Sequence, residues 1–95
     1  MLTDTDKEID TISRGVQAEK LLTHPLLAEA FEAVKSALHT AWEASPSRDP
    51  EGREELFRRI KATNDARSYL EQAVRDGKVA VHSKEQRRLF AMFKR

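Results

Sequence analysis

The stretch SPSRDP, residues 45–50, separates two segments that both have strong helical patterns. Asp49 can cap a helix, and Pro50 suits the first helical position, where a missing N–H costs nothing. A linker of about five residues brings the two flanking helices together in antiparallel orientation. The sequence therefore predicts a helical hairpin made of helices at about 25–44 and about 50–76.

Helical spacing indicates which faces of the hairpin meet. In the first helix one apolar face predicts the hairpin core: Leu27, Phe31, Val34, Leu38 and Trp42. In the second helix a 4-3-4-3-4 spacing marks a heptad seam, with Thr63 among Leu56, Ile60, Arg67, Leu70 and Val74. Gly77 before Lys78 is typical of a helix C-terminus, so we expect this helix to end near residue 76.

An N-terminal helix is predicted at about 5–22. Thr5 and Glu8 fit a capping box. A narrow apolar stripe follows at spacings of three and four: Ile9, Ile12 and Val16. We expect this helix to cover the part of the second hairpin helix that extends beyond the first.

A short basic helix is predicted at about 84–95. Val79-Ala80-Val81 is expected to be extended, and Ser83 with Gln86 offers a capping box after it. The prediction is thus an all-α, three-helix-bundle-like domain over 1–82, followed by a basic amphipathic segment over 83–95.

The 95-residue chain has little bulk for a core, because 39% of it is hydrophobic and much of that is alanine. Apolar residues outside the hairpin seam predict an interface, and we expect a homo-oligomer. Arg67 leaves two interpretations open: its charged end reaches solvent from a wide seam, or it meets a carboxylate of another subunit and fixes the register.

Residues that would support catalysis or metal binding are not arranged for it. The chain lacks cysteine, and its three histidines lie in different segments. His39 and Glu43 could share a helical face, but a metal site needs three or four ligands. The glutamates after Pro50 alternate with arginines and suit surface ion pairs. We therefore expect no enzyme activity, no metal and no cofactor.

The C-terminal segment is the best candidate for docking. Residues 78–95 carry six basic residues and one acidic residue, a net charge of +5. A helix-in-groove contact with a protein would use Leu89, Phe90 and Phe93, steered by Arg87 and Arg88. A nucleic-acid contact would use Lys84, Arg87, Arg88, Lys94 and Arg95. A membrane-surface helix and a segment that only completes the bundle are the other two alternatives.

Four short stretches resemble a group of small helical proteins encoded by tailed bacteriophages. They are LLTHPLLAEAFE at 21–32, AW at 41–42, RDPEGRE at 48–54 and DGKVA at 76–80. The resemblance covers about residues 15–80 and brings no site residues with it. It implies a phage setting, in the virion or the host cytoplasm.

Together these features predict a non-enzymatic structural or interaction protein. It would self-associate through the hairpin and dock a larger protein, such as a capsid, portal or tail component, by its C-terminal segment. A nucleic-acid-binding module and a small phage inhibitor of a host protein are the alternatives. No apolar run is long enough to span a membrane.

Overall fold

A computed structural model describes residues 3–94, which form three α-helices and no strand. They are α1 (Asp4–Thr23), α2 (Pro25–Ala44) and α3 (Pro50–Phe93). The predicted all-α class is therefore confirmed. The chain divides into two compact units: one contains α1 up to Leu21 and the part of α3 from Leu70 onward, and the other is Leu22–Tyr69, with the end of α1, α2 and the first part of α3.

α1 begins at a capping box, two residues before the predicted one. The N–H of Asp6 donates to Thr3 Oγ1 at 3.1 Å, and the N–H of Thr3 donates to Asp6 Oδ2 at 3.3 Å. The prediction that Thr5 and Glu8 form this box was wrong. Both pairs have the same spacing, but the earlier pair satisfies the N–H groups at the actual helix start.

α2 has the predicted bounds because its ends carry strong local signals. His24 is the N-cap, with its Nδ1 accepting from the N–H of Leu26 at 3.2 Å, and Pro25 follows at the first position. At the other end, Ser45 leaves the helix with extended backbone and donates its N–H to the Trp42 carbonyl. α3 then begins at Pro50, where Asp49 Oδ1 accepts from the N–H of Gly52 at 3.1 Å.

α3 is much longer than predicted. It continues through Gly77 to Phe93, so the expected end near residue 76 was wrong. The predicted extended stretch at 79–81 and the predicted cap at Ser83 also lie within the helix. Gly77 does not have the positive φ of a C-terminal cap glycine, and no short separate helix exists in the described chain. The predicted end at Arg95 lies outside the described residues.

Gly77 has a packing role instead, opposite Gly15 of α1. A Cβ added at Gly77 would lie 3.0 Å from the Cα of Gly15, and one added at Gly15 would lie 2.9 Å from the Cα of Gly77. Both glycines are buried. Only residues without a side chain allow two helix backbones to approach this closely.

The face of α1 that packs is the small-residue face. Its buried residues are Gly15 and Ala18, which is 3% exposed, and three half-buried residues extend the same 3-4-3-4 spacing: Glu8, Thr11 and Leu22. The predicted stripe is only partly buried, because Ile12 is half-buried and the other two members are exposed. Ile9, which is 54% exposed, and Val16 lie on an exposed face, because the contact with Gly77 selects residues that let the backbones meet.

We predict that Gly77→Ala destabilises the protein although alanine favours helices. The new methyl group meets the backbone of Gly15 and the Thr11 carbonyl oxygen, at 3.3 Å, and neither can move aside alone. Overpacking typically costs ~1–3 kcal/mol and the helix gains ~1 kcal/mol, so we expect a net loss of up to about 2 kcal/mol. Thermal unfolding followed by circular dichroism measures it. His82→Ala, at an exposed position of the same helix, is the control; an unchanged Tm in Gly77→Ala would contradict the close contact.

Candidate interaction surfaces

The hairpin of α2 and the first part of α3 buries its apolar face only in part. Among the predicted core residues, Leu27, Phe31 and Leu38 are half-buried, whereas Val34 and Trp42 are exposed. On α3, Leu56 and Ile60 are half-buried. Two helices alone do not enclose this face.

Arg53 connects the end of α2 to the start of α3. Its guanidinium lies over the Trp42 ring, with Cζ 4.6 Å from the ring centroid. Its Nη1 also donates to the Ser45 carbonyl oxygen at 3.1 Å and to Ser45 Oγ at 2.9 Å. One side chain thus stacks on an aromatic ring and satisfies a carbonyl that the helix end leaves without an N–H partner.

We predict that Arg53→Ala loosens this turn. The loss combines a cation–π contact with hydrogen bonds of a half-buried group, together about 1–2 kcal/mol. The emission of Trp42, the chain's one tryptophan, should shift to the red as the ring gains water. Arg53→Lys is the matched variant, because it keeps the charge and loses the planar fork. Wild-type stability and emission in Arg53→Ala would contradict the role.

Arg67 finds a carboxylate within its own chain. Its Nη1 lies 3.2 Å from Glu32 Oε1 on α2, and both side chains remain largely exposed. An exposed pair of this kind contributes little stability, typically ~0–1 kcal/mol. The pairing accounts for a charged residue in the seam without a second subunit, and the register-fixing role of Arg67 in an oligomer stays a prediction.

One side of this hairpin holds an open groove without charged lining, which we call the alanine groove. Its volume is about 420 Å³. It is lined by Leu27, Ala30, Phe31, Val34, Ala62, Thr63 and Ala66. The Thr63 hydroxyl donates to the Arg59 carbonyl at 2.9 Å, so this residue's polar atom is already engaged within α3. The groove therefore suits an apolar occupant.

A second groove lies beside the crossing of α1 and α3, and we call it the glycine groove. Its volume is about 260 Å³. It is lined by Ile12, Gly15, Val16, Glu19, Val74, Gly77, Lys78 and Val81. This lining includes an acidic and a basic side chain, so the glycine groove differs from the alanine groove in its charge.

Arg87, predicted to steer docking, pairs with α1. Its Nη2 donates to both carboxylate oxygens of Glu8, at 2.5 and 2.6 Å, and Glu8 is half-buried. The hydrogen bond and the negative charge of Glu8 raise the pKa of the Arg87 guanidinium above its usual range. The sequence offered no signal for this contact, because the two residues are far apart in the chain and Glu8 also fitted a capping box.

We predict that Glu8 and Arg87 are energetically coupled. A raised pKa means that the stability from the Arg87 charge is complete below the ordinary arginine pKa and is lost only above it. The contribution of Arg87 should therefore stay constant across neutral pH. Unfolding of Glu8→Gln, Arg87→Gln and the double variant should give non-additive losses that shrink with added salt. Additive losses would show that the pair is not formed in solution.

The last turns of α3 expose a row of apolar side chains. Phe90 is 68% exposed and Phe93 is 86% exposed, with Leu89 and Met92 also exposed beside them. Lys94 Nζ lies 5.9 Å from the centroid of the Phe90 ring, and Arg88 pairs with Glu85 of the same helix at 3.0 Å. Of the predicted docking residues, Arg87 forms an ion pair with another helix.

Two further arrangements, a metal cluster and a membrane span, are absent from residues 3–94. No group of three or more His, Asp or Glu side chains is placed to hold a metal ion, and His39 is an exposed residue of α2. Within the same residues, none of the helices combines the length and apolar character needed to cross a membrane.

The chain exposes more surface than a folded monomer of its mass is expected to expose. A folded monomer of this mass, 10.9 kDa, is expected to expose about 5,600 Å². This chain exposes 7838 Å². In the part of the chain that the structure describes, Ala18 is the only apolar side chain that is buried. The difference is about 2,200 Å² by the same scaling, and the exposed side chains include the apolar residues described above.

Comparison of the chain with protein-family models, with curated proteins and with solved structures gives no match. The function is therefore argued from the geometry of these surfaces.

Proposed function

We propose that the chain is a non-enzymatic protein-interaction protein whose apolar surfaces are completed by other chains. The observation that carries this proposal is the missing interior: the described residues include no large side chain that is fully buried. A helical protein without a core depends on association to bury apolar surface.

The amount of surface supports self-association as the main event. Obligate complexes bury ~2,000–5,000 Å² in total, counting both partners. An excess of about 2,200 Å² on each chain, by the surface scaling used above, is enough for such an interface. The half-buried seam and the alanine groove are apolar surfaces of the hairpin that such an interface would cover.

The C-terminal part of α3 supports a second docking event, onto a larger protein. Aromatic side chains are typical anchors of protein interfaces, and Phe90 and Phe93 are exposed together. The basic residues around them favour an acidic partner surface and fast association. In the phage setting that the sequence resemblance implies, the partner would be a capsid, portal or tail protein.

Sedimentation equilibrium from micromolar to near-millimolar concentration tests the proposal. We predict that the mass rises with concentration and persists in high salt, because apolar contact is not screened. A duplex DNA should not bind in dilute buffer. A single-chain mass at every concentration, together with DNA binding that weakens steeply with salt, would instead favour the nucleic-acid alternative through Lys84, Arg88 and Lys94.

A further inference from the structure

We infer that the alanine groove receives the Phe90–Phe93 end of α3 from a second copy of this chain. The inference rests on the proposed self-association and specifies its two contacting surfaces. One surface is the groove between α2 and the first part of α3, and the other is the exposed aromatic row on the last turns of α3.

The shape and chemistry of the groove favour an aromatic occupant. Three alanines leave space between the larger side chains of Leu27, Phe31 and Val34. No charged residue lines the groove, and the hydroxyl of Thr63 is bonded within α3. An aromatic ring can therefore enter without leaving a buried polar group unpaired, which would cost binding energy.

The other side of the hairpin is less suitable. Glu32 lies two residues from both Ala30 and Val34, so it faces away from the groove, and its bond with Arg67 joins the two helices there. An entering apolar side chain would have to displace this ion pair. The alanine groove is thus the open side of the hairpin.

The net charges of the groove-forming segment and the donor segment favour this occupant. Residues 24–69, which contain both helices that form the groove, carry seven basic and eight acidic residues, a net charge of −1. The donor segment, residues 78–95, has a net charge of +5. Opposite net charges steer the encounter of the two segments.

The glycine groove is a poorer site for the same segment. Lys78 lines it and would repel the basic donor segment, and Glu19 would have to be desolvated by the entering rings. The uncharged groove is preferred for this reason.

Because the contact joins two different surfaces, the assembly is heterologous. Each copy then offers one groove and one aromatic row, and copies add head to tail. A symmetric dimer through the hairpins would bury the same patch on both copies and would leave the aromatic row outside the interface.

Two variants separate these arrangements. Ala66→Lys blocks the groove and repels the basic donor segment. Its control is Ser68→Lys, which places the same charge two residues away on a different face of α3. Phe93→Ser removes an aromatic anchor, and Val79→Ser removes a 65% exposed apolar side chain elsewhere on α3. We expect Ala66→Lys and Phe93→Ser each to weaken self-association about tenfold or more, and the controls to match wild type.

Mixing supplies the decisive measurement. Ala66→Lys keeps its aromatic row and Phe93→Ser keeps its groove, so an equimolar mixture should form a two-chain species at concentrations where each variant alone is monomeric. Absence of that species would overturn the inference. If wild type and Phe93→Ser associate equally well, the inference is wrong but the proposed function stands. If wild type does not associate at any concentration, the inference and the proposed function are both wrong.

A cross-link keeps the test decisive if Ala66→Lys does not fold. A photoreactive benzoylphenylalanine at position 93 should form an adduct between two chains, mapped to residues 27–34 or 62–66. An adduct at the mass of one chain, or one mapped to α1, would overturn the inference.

Discussion

Each part of α3 is packed against one other helix within its unit, and this constraint explains most of the structure. Two helices in contact share a single seam, so side chains beside that seam remain open to solvent. Residues that would be fully enclosed in a larger bundle, such as Leu27, Phe31 and Ile60, are therefore only half-buried. Apolar burial, which normally dominates stability, is limited throughout the described chain.

Close approach and specific side-chain contacts compensate for this in different ways in the two units. In one unit, Gly15 and Gly77 bring α1 and α3 into backbone contact, which increases dispersion contacts although little side-chain volume is buried. In the other, Arg53 joins the end of α2 to the start of α3 by stacking and hydrogen bonding. These contacts hold the helix pairs in place while their outer faces stay available.

The sequence predicted the structure well at both ends of α2 and at the turn that follows it. Pro25, Asp49 and Pro50 act on the backbone beside them, so both ends of the turn and the start of α2 lie where expected. It failed where a contact distant in sequence decides the outcome. Gly77 before a lysine resembles a helix end, yet the packing of α1 against it accounts for a glycine inside a helix. The available signal was spacing: Gly77 falls three residues after Val74 and so continues the seam.

The same reasoning explains why the interaction surfaces were found only in part. The exposed aromatic residues of α3 follow from composition, because the hairpin seam has no place for them. The alanine groove could not be predicted, since it depends on which side of the hairpin Glu32 and Arg67 occupy. The role of Arg87 was also hidden, because charge alone does not distinguish an ion pair across two helices from a docking residue.

Exposed aromatic side chains carry a risk of uncontrolled aggregation, and the surrounding charges limit it. Phe90 and Phe93 lie close to Arg88 and Lys94 in the sequence, so charge repulsion disfavours the pairing of two such segments with each other. Such a surface favours a partner that is both apolar and not basic. A head-to-tail contact that meets this condition builds a ring if the rotation between copies closes, and a filament if it does not. The angle between groove and donor segment, rather than the affinity of the contact, would therefore decide whether the assembly is finite.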